Sequence, residues 1–153
     1  MKDVRIRTYR DFVGELTAVY KRTELPTFFV KSSRDAAHYM RPHFDECMDD
    51  HEEVKVMHLS RSNGVVNIHH VTSGSETGCI VPIKDIMRQA LIIKTCNIIL
   101  FHSHPSGNLK FSQADISVSK KLKEAGELLE IKVLDSIVLT REGYLSRADE
   151  SLF

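Results

Sequence analysis

The sequence predicts an α/β protein of the α+β type, with a central mixed β-sheet and helices packed against it. Three observations carry this. Residues 52–59 and 65–71 are runs of strand-forming residues on either side of Asn63-Gly64, a dipeptide that favours a two-residue hairpin turn. Residues 95–101 form a short, nearly continuous apolar run, as in a strand buried on both faces. Apolar residues at helical spacing flank that run: Ile83, Ile86, Ala90 and Ile93 before it, and Ala114, Val118, Leu122, Ala125 and Leu129 after it.

The chain has 153 residues, enough to bury one core without staples. Its hydrophobic share of 42% and charged share of 27% are ordinary for a globular protein. Lys+Arg and Asp+Glu both number 21, so no basic excess points to nucleic acid. The basic stretch at residues 120–123 reads as the solvated face of a helix. No apolar run approaches the roughly 20 residues that span a membrane, and the charged start Met1-Lys2-Asp3-Val4-Arg5 lacks a signal peptide's apolar region. The expected location is cytoplasmic. Cys47, Cys79 and Cys96 are far apart, odd in number and without a C-x-x-C pair, so they read as reduced thiols.

In chain order, residues 1–31 are an N-terminal extension, with a helix expected over 9–19 and an extended segment over 26–30. Residues 32–153 form the domain. Ser32-Ser33 offers an N-cap to a short helix over 34–40, which Pro42 ends. Asp45, Glu46, Asp49 and Asp50 mark a solvated loop. The two hairpin strands follow, and Thr72-Ser73-Gly74-Ser75 breaks the second. A third short strand is expected at residues 79–81, then a helix with Pro82 near its first turn. The apolar strand delivers His102 to a loop, and Ser112 caps the next helix. Residues 130–140 read as strand, Arg141-Glu142-Gly143 as a turn, and Tyr144-Leu145-Ser146 as a closing strand.

The chemistry gathers between residues 102 and 115. His102 and His104 sit one residue apart at the end of the apolar strand, so their imidazoles leave the same side of the extended chain. Pro105 fixes one backbone angle and Gly107 permits unusual ones, so the chain can return a helix N-terminus towards both rings. Two imidazoles and the Asp115 carboxylate suit a divalent ion such as zinc, with a fourth position left open. Spacing alone leaves Asp115 open between a metal ligand and a helix-capping carboxylate.

His102-Ser103-His104-Pro105, then six residues, Ser112, two residues and Asp115 match the pattern H-x-H-P-x6-S-x2-D. In this the sequence resembles the JAB/MPN metalloprotease family, whose motif is often called JAMM. The continuation His-Pro-Ser-Gly and the flanks resemble its bacterial RadC-like branch from about residue 32 onwards. Those flanks include Pro82, Asn97-Ile98-Ile99-Leu100, Glu124-Ala125-Gly126, Val133-Leu134-Asp135 and Gly143-Tyr144.

The resemblance implies a cytidine-deaminase-like sheet architecture and a zinc ion (Zn2+) held by His102, His104 and Asp115. It implies that an upstream glutamate at the start of a strand is the acid/base, and Glu52 falls at that place. The residues alone do not choose Glu52 over Glu46, Glu53 or Asp50, although Glu53 would point to the opposite face of its strand. Ser112 is implied to stabilise the oxyanion, beside its reading as an N-cap.

The implied activity is zinc-dependent hydrolysis of an amide or isopeptide bond in a peptide or protein substrate, within a family labelled DNA repair. The alternative is a zinc-containing module without turnover that binds DNA or protein. A two-metal nuclease is disfavoured, because two histidines and one aspartate come with no second carboxylate cluster. A homo-oligomer is compatible with the sequence.

The chain departs from the branch at several positions. Ser103 replaces the usual Asn between the histidines, Pro82-Ile83-Lys84 replaces Pro-Arg-Glu, and Asp135-Ser136 replaces Asp-His. Residues 1–31 also show none of the glycine-containing hairpins of the branch's helix-hairpin-helix module. His38, His43, His51, His58, His69 and His70 have no ligand-like spacing, and adjacent His69 and His70 should face opposite sides of a strand. His51 is singled out only by its place beside Glu52.

Overall fold

A computed structural model describes residues 11–73 and 81–153. Five strands form one sheet in the order β2-β1-β3-β4-β5: β1 is Glu53–Leu59, β2 Val65–Ser73, β3 Asn97–Ser103, β4 Lys132–Leu139 and β5 Tyr144–Ser146. Only β3 and β4 pair in parallel; the other neighbours are antiparallel. The sheet is therefore mixed, with helices on both faces, as the alternation of patterns predicts.

Helix α1, Ser33–Met40, begins where Ser32 Oγ accepts the Asp35 N–H, and the Asp35 carboxylate accepts the Lys31 N–H. Pro42 does not stop the chain from curling: a 3-10 turn, Arg41–Phe44, continues α1. Ala36, Ala37, Met40 and Phe44 pack with Met57, Leu59, Ile99, Phe101, Ile137 and Leu139 on one face of the sheet. Helices α2, Ile83–Ile92, and α3, Gln113–Leu128, cover the other face, where Ile86, Met87, Ala90 and Leu122 meet Val54, Val56, Ile98 and Leu100. Each fully buried Leu or Ile here contributes about 1.5–3 kcal/mol. The apolar run in β3 is explained by its place: it is the central strand, covered on both faces.

Several expectations need correction. Residues 11–19 contain no helix: Phe12, Leu16 and Val19 are exposed, so nothing buries the apolar stripe that a short helix needs for stability. The extended segment over 26–30 does form: Phe29 bridges Gly64, flanked by Val65 N–H to Phe28 O and Val30 N–H to Asn63 O, and Val30 joins the buried core. The hairpin turn is longer than two residues. Leu59 pairs with Val65, the Asn63 N–H donates to Ser60 O, and Asn63 alone takes the left-handed conformation at φ 65. Strand β2 then runs through Thr72 and Ser73, because both still find partners on β1. Of the strand expected at 79–81, Cys79 and Ile80 lie outside the described residues, and Val81 is not in a strand.

Parallel strands need a crossover, and α3 supplies it between β3 and β4. A crossover helix runs back along the sheet, which sets its N-terminus beside the end of β3. Because β1 is antiparallel to β3, with Val54 opposite His102, the start of β1 lies at the same end. Three chain ends thus converge there: the end of β3, the start of β1 and the start of α3.

Candidate metal centre

His102 is the next-to-last residue of β3, in the row of Ile98 and Leu100 that faces α2 and α3. His104 follows just beyond the strand, fixed by its N–H to Leu139 O at 2.8 Å. Glu52 lies one residue before β1, on the side of Val54 and Val56, which the same core cluster receives. Asp115 sits in the first turn of α3, with its carboxylate turned to the histidines. The structure therefore brings Glu52, His102, His104 and Asp115 to one place.

His102 stands between the two carboxylates. Its Nε2 is 3.2 Å from Glu52 Oε2, and its Nδ1 is 2.7 Å from Asp115 Oδ1. His104 Nε2 lies 3.3 Å from Asp115 Oδ2, while its Nδ1 faces the Asn108 carbonyl at 2.9 Å. An Nδ1–H donating to that carbonyl leaves the Nε2 lone pair for a ligand. Glu52, His102 and His104 each offer one ligand atom, and the three atoms lie within 4.8 Å of one another.

Burial favours the neutral form of His104, but Asp115 and the Asn108 carbonyl outweigh it and raise its pKa. Burial alone would push the Asp115 carboxyl up, yet His102, His104 and the Ser112 N–H together hold it well below the usual carboxylate range.

A divalent cation fits this donor set. Asp115 Oδ1 is buried and close to His102 Nδ1, but it accepts no hydrogen bond of good geometry. Two imidazole nitrogens and carboxylate oxygens, largely buried at the end of a sheet, are the donors such an ion prefers.

Ser112 is the N-cap of α3. Its Oγ accepts the Asp115 N–H at 3.0 Å, and Asp115 Oδ2 accepts the Ser112 N–H at 2.8 Å, a reciprocal capping box. The capping interaction of Asp115 is thus real, and one carboxylate makes both the cap and the histidine contacts.

His51, beside Glu52, turns away from this group: its Nδ1 meets Asp50 at 2.7 Å and its Nε2 lies 3.6 Å from Glu53. His69 and His70 do face opposite ways, His69 towards His58 and His70 towards Glu53. Ser136 lines a cavity of about 20 Å³ with His102, Asp115 and Val118. The larger cleft, about 640 Å³, lies at the far end of the sheet by Asn97 and Lys132 and contains none of the four residues.

Sequence reasoning missed Asn108, which orients His104 through a backbone oxygen that no side-chain pattern reveals. It also missed Ser103, whose Oγ accepts the Glu53 N–H at 2.9 Å and donates to the Glu53 carbonyl at 3.4 Å. The alternation of strand residues was the available signal, since it turns Ser103 away from both histidines.

The family described as RadC-like JAB domain matches residues 30–152. The chain is similar to a UPF0758 protein of Flavobacterium johnsoniae, 39% identical over 124 residues, covering 81% of this chain and 53% of the relative. A UPF0758 protein of Chlorobaculum tepidum is 32% identical over 123 residues, covering 80% of this chain and 54% of the relative. One from Enterococcus faecalis is 29% identical over 135 residues, covering 88% and 57%. The chain spans about half the length of the curated relatives it matches. Among the described residues, no helix is long and apolar enough to cross a membrane.

Proposed function

The chain belongs to the RadC-like JAB domain family, and from that premise we propose that it is a zinc-dependent hydrolase of amide or isopeptide bonds in peptide or protein substrates. The observation that carries the reading is the Glu52 carboxylate beside the histidine pair: Oε2 is 3.2 Å from His102 Nε2, within the group whose ligand atoms lie inside 4.8 Å. His102, His104 and Asp115 would hold the ion. A zinc ion, when bound, supplies Lewis acidity that brings a water's pKa to about 7 and polarises a carbonyl.

The protein's own groups do the rest. Glu52 takes a proton from the attacking water and later delivers it to the leaving amine. Its place before β1, outside the β1–β3 ladder, sets the carboxylate against His102 of β3. The Asn108 carbonyl holds His104 in the tautomer that presents Nε2. Ser112 Oγ accepts the Asp115 N–H, which leaves its own hydroxyl proton to donate to a developing oxyanion.

The test is metal analysis together with hydrolysis of a panel of fluorogenic peptide and isopeptide substrates by wild type and Glu52→Gln. Both proteins should carry one metal per chain, and the variant should lose about 10²–10⁴-fold in rate. If Glu52→Gln keeps its metal and hydrolyses as fast as wild type, the proton-carrying role belongs to another group.

A further inference from the structure

Ser103 stands between the two histidines, yet its side chain leaves the opposite face of β3 and is fully buried. Its single hydroxyl bridges both backbone groups of Glu53, accepting the N–H at 2.9 Å and donating to the carbonyl at 3.4 Å. The Glu53 N–H belongs to the peptide that joins Glu53 to Glu52. The β1–β3 ladder has its last pair at Val54 and His102, so this peptide lies one step beyond the regular hydrogen bonds. There the Ser103 hydroxyl takes over the work of the ladder.

We propose that Ser103 is a positioning residue for Glu52: its hydroxyl ties the peptide carrying Glu52 to the strand carrying His102, which sets the distance between the Glu52 carboxylate and the histidine pair. The inference rests on the reading of Glu52 as the proton carrier. It gives the residue between the histidines a task that its neighbours' metal chemistry does not explain. A side chain at 103 needs a short hydroxyl that both donates and accepts; alanine offers neither.

The test uses Ser103→Ala, Ser103→Thr, Glu52→Gln and the Ser103→Ala/Glu52→Gln double variant of this chain. Each is loaded with Co(II), and its visible absorption is followed across pH. Amide hydrogen exchange at Glu53 is measured in parallel on the metal-free proteins. Loss of one buried hydrogen bond should speed Glu53 exchange about tenfold in Ser103→Ala, with protection retained in Ser103→Thr. The cobalt pH profile of Ser103→Ala should move in the same direction as that of Glu52→Gln. The double variant should coincide with Glu52→Gln, because Ser103 acts only through that residue.

A Ser103→Ala profile that stays at wild type while Glu52→Gln moves would overturn the positioning role and leave the reading of Glu52 standing. So would shifts that simply add in the double variant. A Glu52→Gln profile unchanged from wild type would instead remove the reading of Glu52, and this inference with it.

Discussion

His58 should make the protein acid-sensitive, and the effect can be worked from its surroundings. The residue lies on β1 with no exposed surface, its Nδ1 3.0 Å from Thr95 Oγ1 and its Nε2 3.3 Å from His69 Nδ1. The two rings stack with centroids 5.5 Å apart. Burial first, and the neighbouring His69 second, push its pKa down from 6.5 to about 3. A depressed folded-state pKa means that stability is fully present above the unfolded value of 6.5 and is lost as pH falls towards 3. Each pH unit in that window costs about 1.4 kcal/mol, so moving from pH 7.5 to 5.0 should remove about 2 kcal/mol through this one group.

The perturbation is His58→Leu, read by urea unfolding of metal-free protein at both pH values. At pH 7.5 the variant should be less stable by about 1–3 kcal/mol, because the buried Thr95 hydroxyl loses its partner. At pH 5.0 that gap should shrink by about 2 kcal/mol or reverse, since leucine has no proton to take up. Carboxylates and the other histidines are present in both proteins and largely cancel in the difference. His69, whose own pKa is lowered by burial and then by Arg88, touches the His58 ring and is the exception. A gap of the same size at both pH values would refute the assignment of acid sensitivity to His58.

Two further outcomes follow from the packing and the metal site. A Cβ on Gly126 would come within 2.3 Å of the Ile131 backbone oxygen, where α3 turns into β4, and that oxygen cannot swing aside. Gly126→Ala should therefore cost about 1–3 kcal/mol, seen as a lower urea midpoint, and an unchanged midpoint would mean that the turn relaxes freely. Zinc at a hundredfold excess over its Kd should stabilise the wild type by about 2.7 kcal/mol, and a chelator should reverse the gain. His104→Ala should show neither effect in thermal unfolding, and an equal gain in that variant would place the ion elsewhere.

Some of this molecule is legible without a fold because the interactions involved are local. Ser32 and Ser112 cap helices within three residues of themselves, and the apolar run of β3 announces a strand covered on both sides. The motif around His102, His104 and Asp115 is local in the same sense, since one strand, one sharp loop and one helix N-terminus bring the three together. The helix expected over 9–19 was a local reading too, yet none forms over residues 11–19, because a helix of that length persists only when a partner buries its face, and Phe12, Leu16 and Val19 are exposed.

Choosing among the carboxylates was beyond any local pattern. Period two separates Glu52 from Glu53, but it does not say which face of β1 meets the histidines. That depends on the antiparallel register of Val54 against His102, a pairing of residues 48 apart in the chain, and on a crossover helix returning to the same end of the sheet. Hydrogen-bond spacing and side-chain alternation act over a few residues, so the sequence by itself determined the caps, the histidine motif and the places of β1 to β5, though not all their ends. Strand order and register are set by packing across the whole core, so only the tertiary structure decided that Glu52 faces His102 and that Ser103 grips the peptide behind it.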